Sequence, residues 1–175
     1  MQNSASRAVL AAFGVILAIM LAWVMPAVSR ENSSELYARG ARLALDGQLD
    51  KAILLFKRVV EISPYYCMGH YGLGKAYLYK YGMTDDAIRH LKRAVTLDRR
   101  LARGYFYLGM AYHMALKYPQ AIHAYRSAYQ FDDTIIEALY NLGVVYEIME
   151  KSYESGLYFR KYSDAKAGED EDIFF

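Results

Sequence analysis

The sequence predicts an all-α fold: a solenoid of about four stacked helical hairpins after one long apolar segment. Three observations carry this. Gly40, Gly74, Gly109 and Gly143 recur at intervals of 34, 35 and 34 residues. Other columns fall into line when the chain is aligned on them. Finally, each period holds two apolar-periodic stretches with the spacing of amphipathic helices, such as Leu36–Leu45 and Leu49–Ile62. Self-similarity at a period of this size marks an array of stacked supersecondary units, none of which can bury its apolar face alone.

Taken in order, the columns explain the elements. Three residues after each glycine stands Leu43, Tyr77, Tyr112 or Tyr146, and Leu73, Leu108 and Leu142 precede the last three. A small residue recurs in the second helix as Ala52, Ala87, Ala121 and Ser155, followed four residues on by Phe56, Leu91, Tyr125 or Phe159. The glycine and alanine columns are where two helices approach too closely for a larger side chain, and the aromatic column fills the space around that contact. Helix starts are signalled by Asn32 with Glu35, Thr84, Pro119 in a first turn, Thr134 with Glu137, and Ser152. Pro64 closes the first repeat, and Asp98 and Asp132 stand near the next two junctions. The second repeat has one residue more, which the pattern places in its inter-helix turn at Tyr79–Gly82. The last helix is expected at about Tyr153–Lys166.

These columns resemble the tetratricopeptide repeat (TPR) family: small at the eighth and twentieth positions, aromatic at the twenty-fourth, proline near the thirty-second. The resemblance implies a right-handed superhelical solenoid of about four TPR helix-turn-helix units over residues 30–163, with repeats at about 33–66, 67–101, 102–135 and 136–163. Residues 1–29 form an N-terminal tail and anchor, and 164–175 an acidic tail.

The apolar segment is Ala8–Val28, 21 residues without a charge. About 20 such residues span a bilayer core. A cleaved signal peptide is the rival reading, since Ala27-Val28-Ser29 is an acceptable small-x-small site. The run exceeds the usual signal core, and Trp23 suits an interfacial anchor, so a retained single-pass helix is expected. Arg7 lies before the span and Arg30, Arg39 and Arg42 after it, which leaves orientation open. The signal-like layout favours a bacterial inner membrane with the repeats on the periplasmic face.

The formal charge of +2 hides an asymmetry. All 21 Lys and Arg precede residue 167, whereas 167–175, AGEDEDIFF, carries four acidic side chains and no basic one. Arg89, Lys92, Arg93, Arg99, Arg100 and Arg103 form a basic run against Asp98. Two readings stand for it: a solvated helix face, or a docking patch for lipid headgroups, an acidic partner or the acidic tail of a neighbouring copy. Nucleic acid is not expected, because the charge is local.

Two segments imitate chemistry. Gly69–Ala76 nearly spells a phosphate-binding loop, but no strand pattern precedes it, Gly74 occupies the helix-packing column, and Ala76 stands where a hydroxyl is needed. Cys67 and His70 make half a metal site, and His90, His113 and His123 have no spacing that completes it. No catalytic constellation, metal, cofactor or small-molecule substrate is expected, and the lone Cys67 excludes an internal disulfide.

Function should then lie on the concave surface, which first helices line in stacked hairpin arrays. Carried over from the TPR pattern through the glycine column, the groove positions are Tyr37, Ala41, Ala44 and Leu45; Met68, Tyr71, Lys75, Leu78 and Tyr79; Arg103, Phe106, Met110, His113 and Met114; and Glu137, Tyr140, Val144, Glu147 and Ile148. This set is rich in the aromatic, Met and Arg side chains that interface cores favour. With 18 tyrosines in the chain, some must serve the groove and others the hairpin core. The expectation is a membrane-anchored scaffold for protein partners, an accessory or assembly subunit of a larger membrane complex. The alternative is a chaperone-like receptor that binds incoming polypeptides at the same membrane.

Overall fold

A computed structural model describes residues 32–172 of the chain. Among the described residues eight helices follow one another: α1 (Ser33–Leu45), α2 (Leu49–Ile62), α3 (Cys67–Leu78), α4 (Thr84–Leu97), α5 (Ala102–Met114), α6 (Tyr118–Phe131), α7 (Glu137–Ile148) and α8 (Ser152–Asp172). No strand occurs among the described residues. The helices pair as α1–α2, α3–α4, α5–α6 and α7–α8, and each second helix packs on the first helix of the next repeat. First helices of successive repeats also touch, α1 with α3 and α3 with α5. The architecture is therefore a solenoid of four antiparallel hairpins. The expected anchor at Ala8–Val28 lies outside the described residues. No helix among the described residues is long and apolar enough to cross a membrane.

The period of the sequence is the period of one contact. A Cβ placed on Gly40 would lie 2.8 Å from the Phe56 ring, on Gly109 2.6 Å from Tyr125, and on Gly143 2.7 Å from Phe159. On Gly74 it would meet Leu91 Cγ at 2.6 Å and backbone atoms of α4 at 3.0 and 3.2 Å. Each first helix thus lies directly against the large residue of its second helix, with Ala52, Ala87 and Ala121 fully buried beside it. Phe56 is held twice, because Gly72 of the next repeat would also clash with it at 2.7 Å. Burying such a large apolar side chain, a ring in three hairpins and Leu91 in the second, contributes about 1.5–3 kcal/mol.

Three of the four inter-helix turns share a helix-ending motif. Gln48 N–H bonds to Leu43 O at 2.8 Å and Gly47 N–H to Ala44 O at 3.2 Å; Lys117 and Leu116, then Lys151 and Glu150, repeat the pattern. This is the Schellman arrangement, whose penultimate donor sits in the left-handed region. Gly47 adopts φ 76° there, but Leu116 (φ 57°) and Glu150 (φ 58°) fill the same place without glycine's freedom. In the second repeat the left-handed residue is Gly82, φ 75°, and the supplementary residue falls between Leu78 and Gly82, as the spacing predicted.

The helix starts are less regular than the sequence suggests. Thr84 begins α4 without a side-chain cap bond, and Met83 occupies the cap position. Thr134 is not a cap either: its N–H and hydroxyl both donate to Asp132 Oδ1, at 3.1 and 2.6 Å, within the junction. Asp98 plays the same part for Arg100 N–H at 2.9 Å. The junction carboxylates hold short side-chain turns, so the capping function has moved from the helix into the loop before it. Helix α8 also runs to Asp172, past the expected end at Lys166.

The contrast between glycines is testable. Gly74→Ala should lower unfolding stability by about 1–3 kcal/mol through overpacking against backbone. Gly156→Ala, in helix α8 with nothing within 4 Å, should raise it by about 0.5–1 kcal/mol. Urea denaturation of both variants checks the sign. Leu116 is 71 % exposed, so Leu116→Gly should relieve left-handed strain at little packing cost. A gain of about 0.5–1 kcal/mol in the same measurement is expected.

Candidate functional site

The structure gathers the expected groove residues of the first two repeats around one concavity of about 540 Å³. Tyr37, Ala41, Ala44 and Leu45 come from α1, and Tyr71, Lys75 and Tyr79 from α3 and its end; Phe56 forms the floor. Among the described residues, Lys75 is the one charged side chain lining it. Leu78 does not belong to this surface. It is buried in the core, because its position on α3 turns it toward the hairpin interior. Tyr71 is also largely buried, 7 % exposed, and forms the wall of the cavity rather than a free edge. Met68 is half-buried beside the same core.

Tyr107 is absent from the groove positions that the sequence singles out, yet it organises this region. Its ring lies 5.8 Å from Tyr71 in an edge-on arrangement, and Lys75 Nζ sits 4.8 Å above its face. Tyr79 lies near enough for the two hydroxyls to influence one another. One signal was available: Tyr107 stands two residues before Gly109, where the second repeat has Gly72, so a ring in the third repeat replaces a glycine in the second. Burial pushes the Tyr37 hydroxyl up to about 12, and burial likewise raises Tyr71 and Tyr79. These hydroxyls therefore remain protonated donors at neutral pH, and the cavity keeps the positive sign of Lys75.

Further along, Phe106 and Met110 are partly buried against Tyr125 and its neighbours, with Phe106 6.0 Å from the Tyr125 ring. His113 lies 6.0 Å from Tyr118, and burial lowers its pKa. Tyr140 stacks on α8, 5.6 Å from Phe159 and 5.4 Å from Tyr162, yet remains 48 % exposed. Arg103 and Glu147 are exposed. The last position carried over in each repeat stands out. Leu45, Tyr79, Met114 and Ile148 are 85, 56, 57 and 48 % exposed, so one large apolar side chain per repeat meets solvent at the end of each first helix. A periodic exposed apolar row is what a partner-binding edge presents.

The basic run does not form one patch. Arg89, Lys92 and Arg93 line a shallow dish on α4, with Arg89 paired to Asp86 and Arg93 5.6 Å over the Tyr65 ring. Arg103, on α5, acts instead on Tyr71 at the cavity. Arg99 and Arg100 lie between, in the junction turn. An antiparallel turn separates residues that are adjacent in sequence.

The fold also makes a contact that spacing did not suggest. His70 and His90 meet with Nδ1 atoms 3.1 Å apart and rings stacked at 5.3 Å. The Pro64 carbonyl, 3.1 Å from His70 Nε2, can only accept, so His70 Nε2–H donates to it. His70 Nδ1 is then left to accept from His90 Nδ1–H, and both rings are neutral. Burial, His70 and the Arg89 charge push His90 down to about 4. No group of three metal-ligating side chains forms among the described residues. Gly69–Ala76 lies wholly inside α3, with Gly69, Gly72 and Gly74 all in close helix contacts, so its backbone is not a phosphate loop.

This geometry is that of a TPR-like solenoid, a class of protein-interaction scaffold. Comparison with solved structures agrees. The chain is similar to a crystal structure of MamA, at 26 % identity over 80 % of this chain and 81 % of that one, TM-score 0.75. It is similar to MamA from Desulfovibrio magneticus RS-1, at 25 % identity over 79 % and 78 %, TM-score 0.72. A thermophilic TPR protein of Thermus thermophilus shares the fold, at 19 % identity over 83 % of each chain, TM-score 0.64. No family model matches the chain, and no curated protein matches it.

The histidine pair gives a pH dependence with a defined sign. Its pKa is lower in the folded state than the unfolded 6.5, so its stability contribution is present above 6.5 and lost as pH falls toward 4. Arg89, Lys57, Arg93 and His70 oppose protonation and Asp86 favours it. After discounting for solvent screening of the half-exposed ring, about 1 kcal/mol or less should be lost between pH 7 and pH 5. His90→Gln should remove that part of the difference, read from denaturation midpoints at the two pH values.

Proposed function

We propose that the chain is a membrane-anchored scaffold, an accessory or assembly subunit of a larger membrane complex in a bacterial inner membrane. The repeats would stand on the periplasmic face. The observation that carries the interaction part is the exposed row Leu45, Tyr79, Met114 and Ile148 beside the aromatic cavity of the first two repeats. A partner segment laid along the first helices would cover all four side chains at once, and the repeat spacing gives it a defined register. The uncharged run Ala8–Val28 supports the membrane part. Tethering confines both partners to one plane and raises their effective concentration without any new contact.

The test is a mild-detergent pull-down of the full chain with native sizing. A single stoichiometric set of membrane proteins is expected, and Met114→Asp with Ile148→Asp should abolish its capture while the circular dichroism spectrum stays helical. Unchanged capture overturns the groove assignment. A broad, substoichiometric list of clients would replace the fixed subunit by a receptor for incoming polypeptides.

A further inference from the structure

On α4, Arg89, Lys92 and Arg93 are exposed, and their spacing puts Arg89 beside the other two on one helix face. With Asp85, His70 and His90 they line the shallow dish, whose volume is about 650 Å³. Asp86 pairs with Arg89, but among the described residues no carboxylate pairs with Lys92 or Arg93. Cations elsewhere on the second helices are engaged: Arg58 with Glu61 at 3.3 Å, and Arg126 with the Tyr158 hydroxyl at 3.0 Å. Arg93 is instead held over the Tyr65 ring at 5.6 Å, which fixes its guanidinium without neutralising it. Lys57, on α2, adds its charge to the same region, since it acts on His90. Lys57, Arg89, Lys92 and Arg93 thus stand with only Asp85 and Asp86 among them, and like charges one turn apart repel.

The histidine pair lies in the wall of this dish. His90 Nδ1–H is spent on His70, which is itself fixed by the Pro64 carbonyl. The other nitrogen, His90 Nε2, bonds to no described residue and is not buried. A proton arriving at His90 therefore goes to Nε2 and leaves the pair intact. His70, Arg89 and Lys57 oppose that proton and Asp86 favours it, while the uncharged Tyr77 ring packs 5.8 Å away. An anion among the cations reverses this balance. We propose that the dish is a binding site for a tetrahedral oxyanion, a phosphate group or sulfate, held by Arg89, Lys92 and Arg93 and by the protonated Nε2–H of His90. Guanidinium groups match such oxygens in pairs, and Lys92 adds a point charge. The dish is shallow, so an esterified phosphate fits as well as a free one. It lies on a second helix, apart from the first-helix row Leu45, Tyr79, Met114 and Ile148, and both can be occupied at once.

The experiment is equilibrium dialysis of the full chain in mild detergent against radiolabelled sulfate and inorganic phosphate at fixed ionic strength. Saturable binding of one anion per chain is expected, and Lys92→Gln with Arg93→Gln should weaken it at least tenfold. Lys117→Gln with Lys151→Gln removes the same charge from two hairpin turns and should leave binding unchanged. Sulfate stays a dianion between pH 7.5 and pH 5.5, so its affinity reports on the protein alone. It should rise about threefold toward pH 5.5, because a ligand that favours the protonated ring is favoured by protons in turn. His90→Gln should abolish that rise while the circular dichroism spectrum stays helical. Unsaturated uptake, or equal loss in both lysine-containing pairs, would mark an adventitious ion only and overturn the inference. So would sulfate affinity that ignores pH in the parent, or a pH response that His90→Gln retains. Glycerol 3-phosphate separates the two sources of the ligand. Binding like that of inorganic phosphate assigns the site to phosphate esters such as lipid headgroups, and its exclusion assigns the site to the free ion.

Discussion

Everything in this array depends on the distance between the two helices of a hairpin. A first helix that carries glycine can lie against a ring or a leucine with no room for one more carbon, and the second helix offers alanine at the flanking position. The large residue then fills the only space left and becomes fully buried, as Tyr125 and Leu91 are. Because the same approach occurs in every repeat, successive hairpins have the same width and stack in register. Gly72 extends the constraint across a repeat boundary, since Phe56 is clasped between α1 and α3.

The turns follow from that approach. Two antiparallel helices so close must be joined within a few residues, and the Schellman ending supplies the reversal while satisfying two terminal carbonyls. The left-handed position is required by the turn, not by the residue in it. Glycine fills it in repeats one and two, and Leu116 and Glu150 accept the strain in repeats three and four. The packing of the hairpin outweighs a local penalty on the order of 1–2 kcal/mol.

Aromatic abundance is divided between core and surface by helix phase. Tyr125 and Tyr77 point into hairpins, Tyr79 and Tyr140 lie at the edge, and Tyr71 and Tyr107 sit between, joining wall to core. The exposed edge is periodic because the core is periodic: each position keeps its phase from one repeat to the next. Electrostatics follows the same division. The three α4 cations and the histidine pair share one face, while Lys75 and Arg103 accompany the tyrosines on another.

The all-α class, the hairpin order, the small-against-large contact and the place of the supplementary residue were legible in the sequence, because each repeats at a fixed spacing and four copies corroborate one another. Features that occur once were not. Asp132 displaced Thr134 from its expected cap, since a junction turn offered the hydroxyl a nearer partner. Leu78 fell into the core and Tyr107 into the groove, as single-residue differences of helix phase decide between them. His90 met His70 because a hairpin folds residues twenty apart onto one another, and the basic run was divided by the turn it crosses. Periodic spacing specifies the scaffold; pairwise contacts between helices, which no single stretch of sequence contains, decide what each face presents.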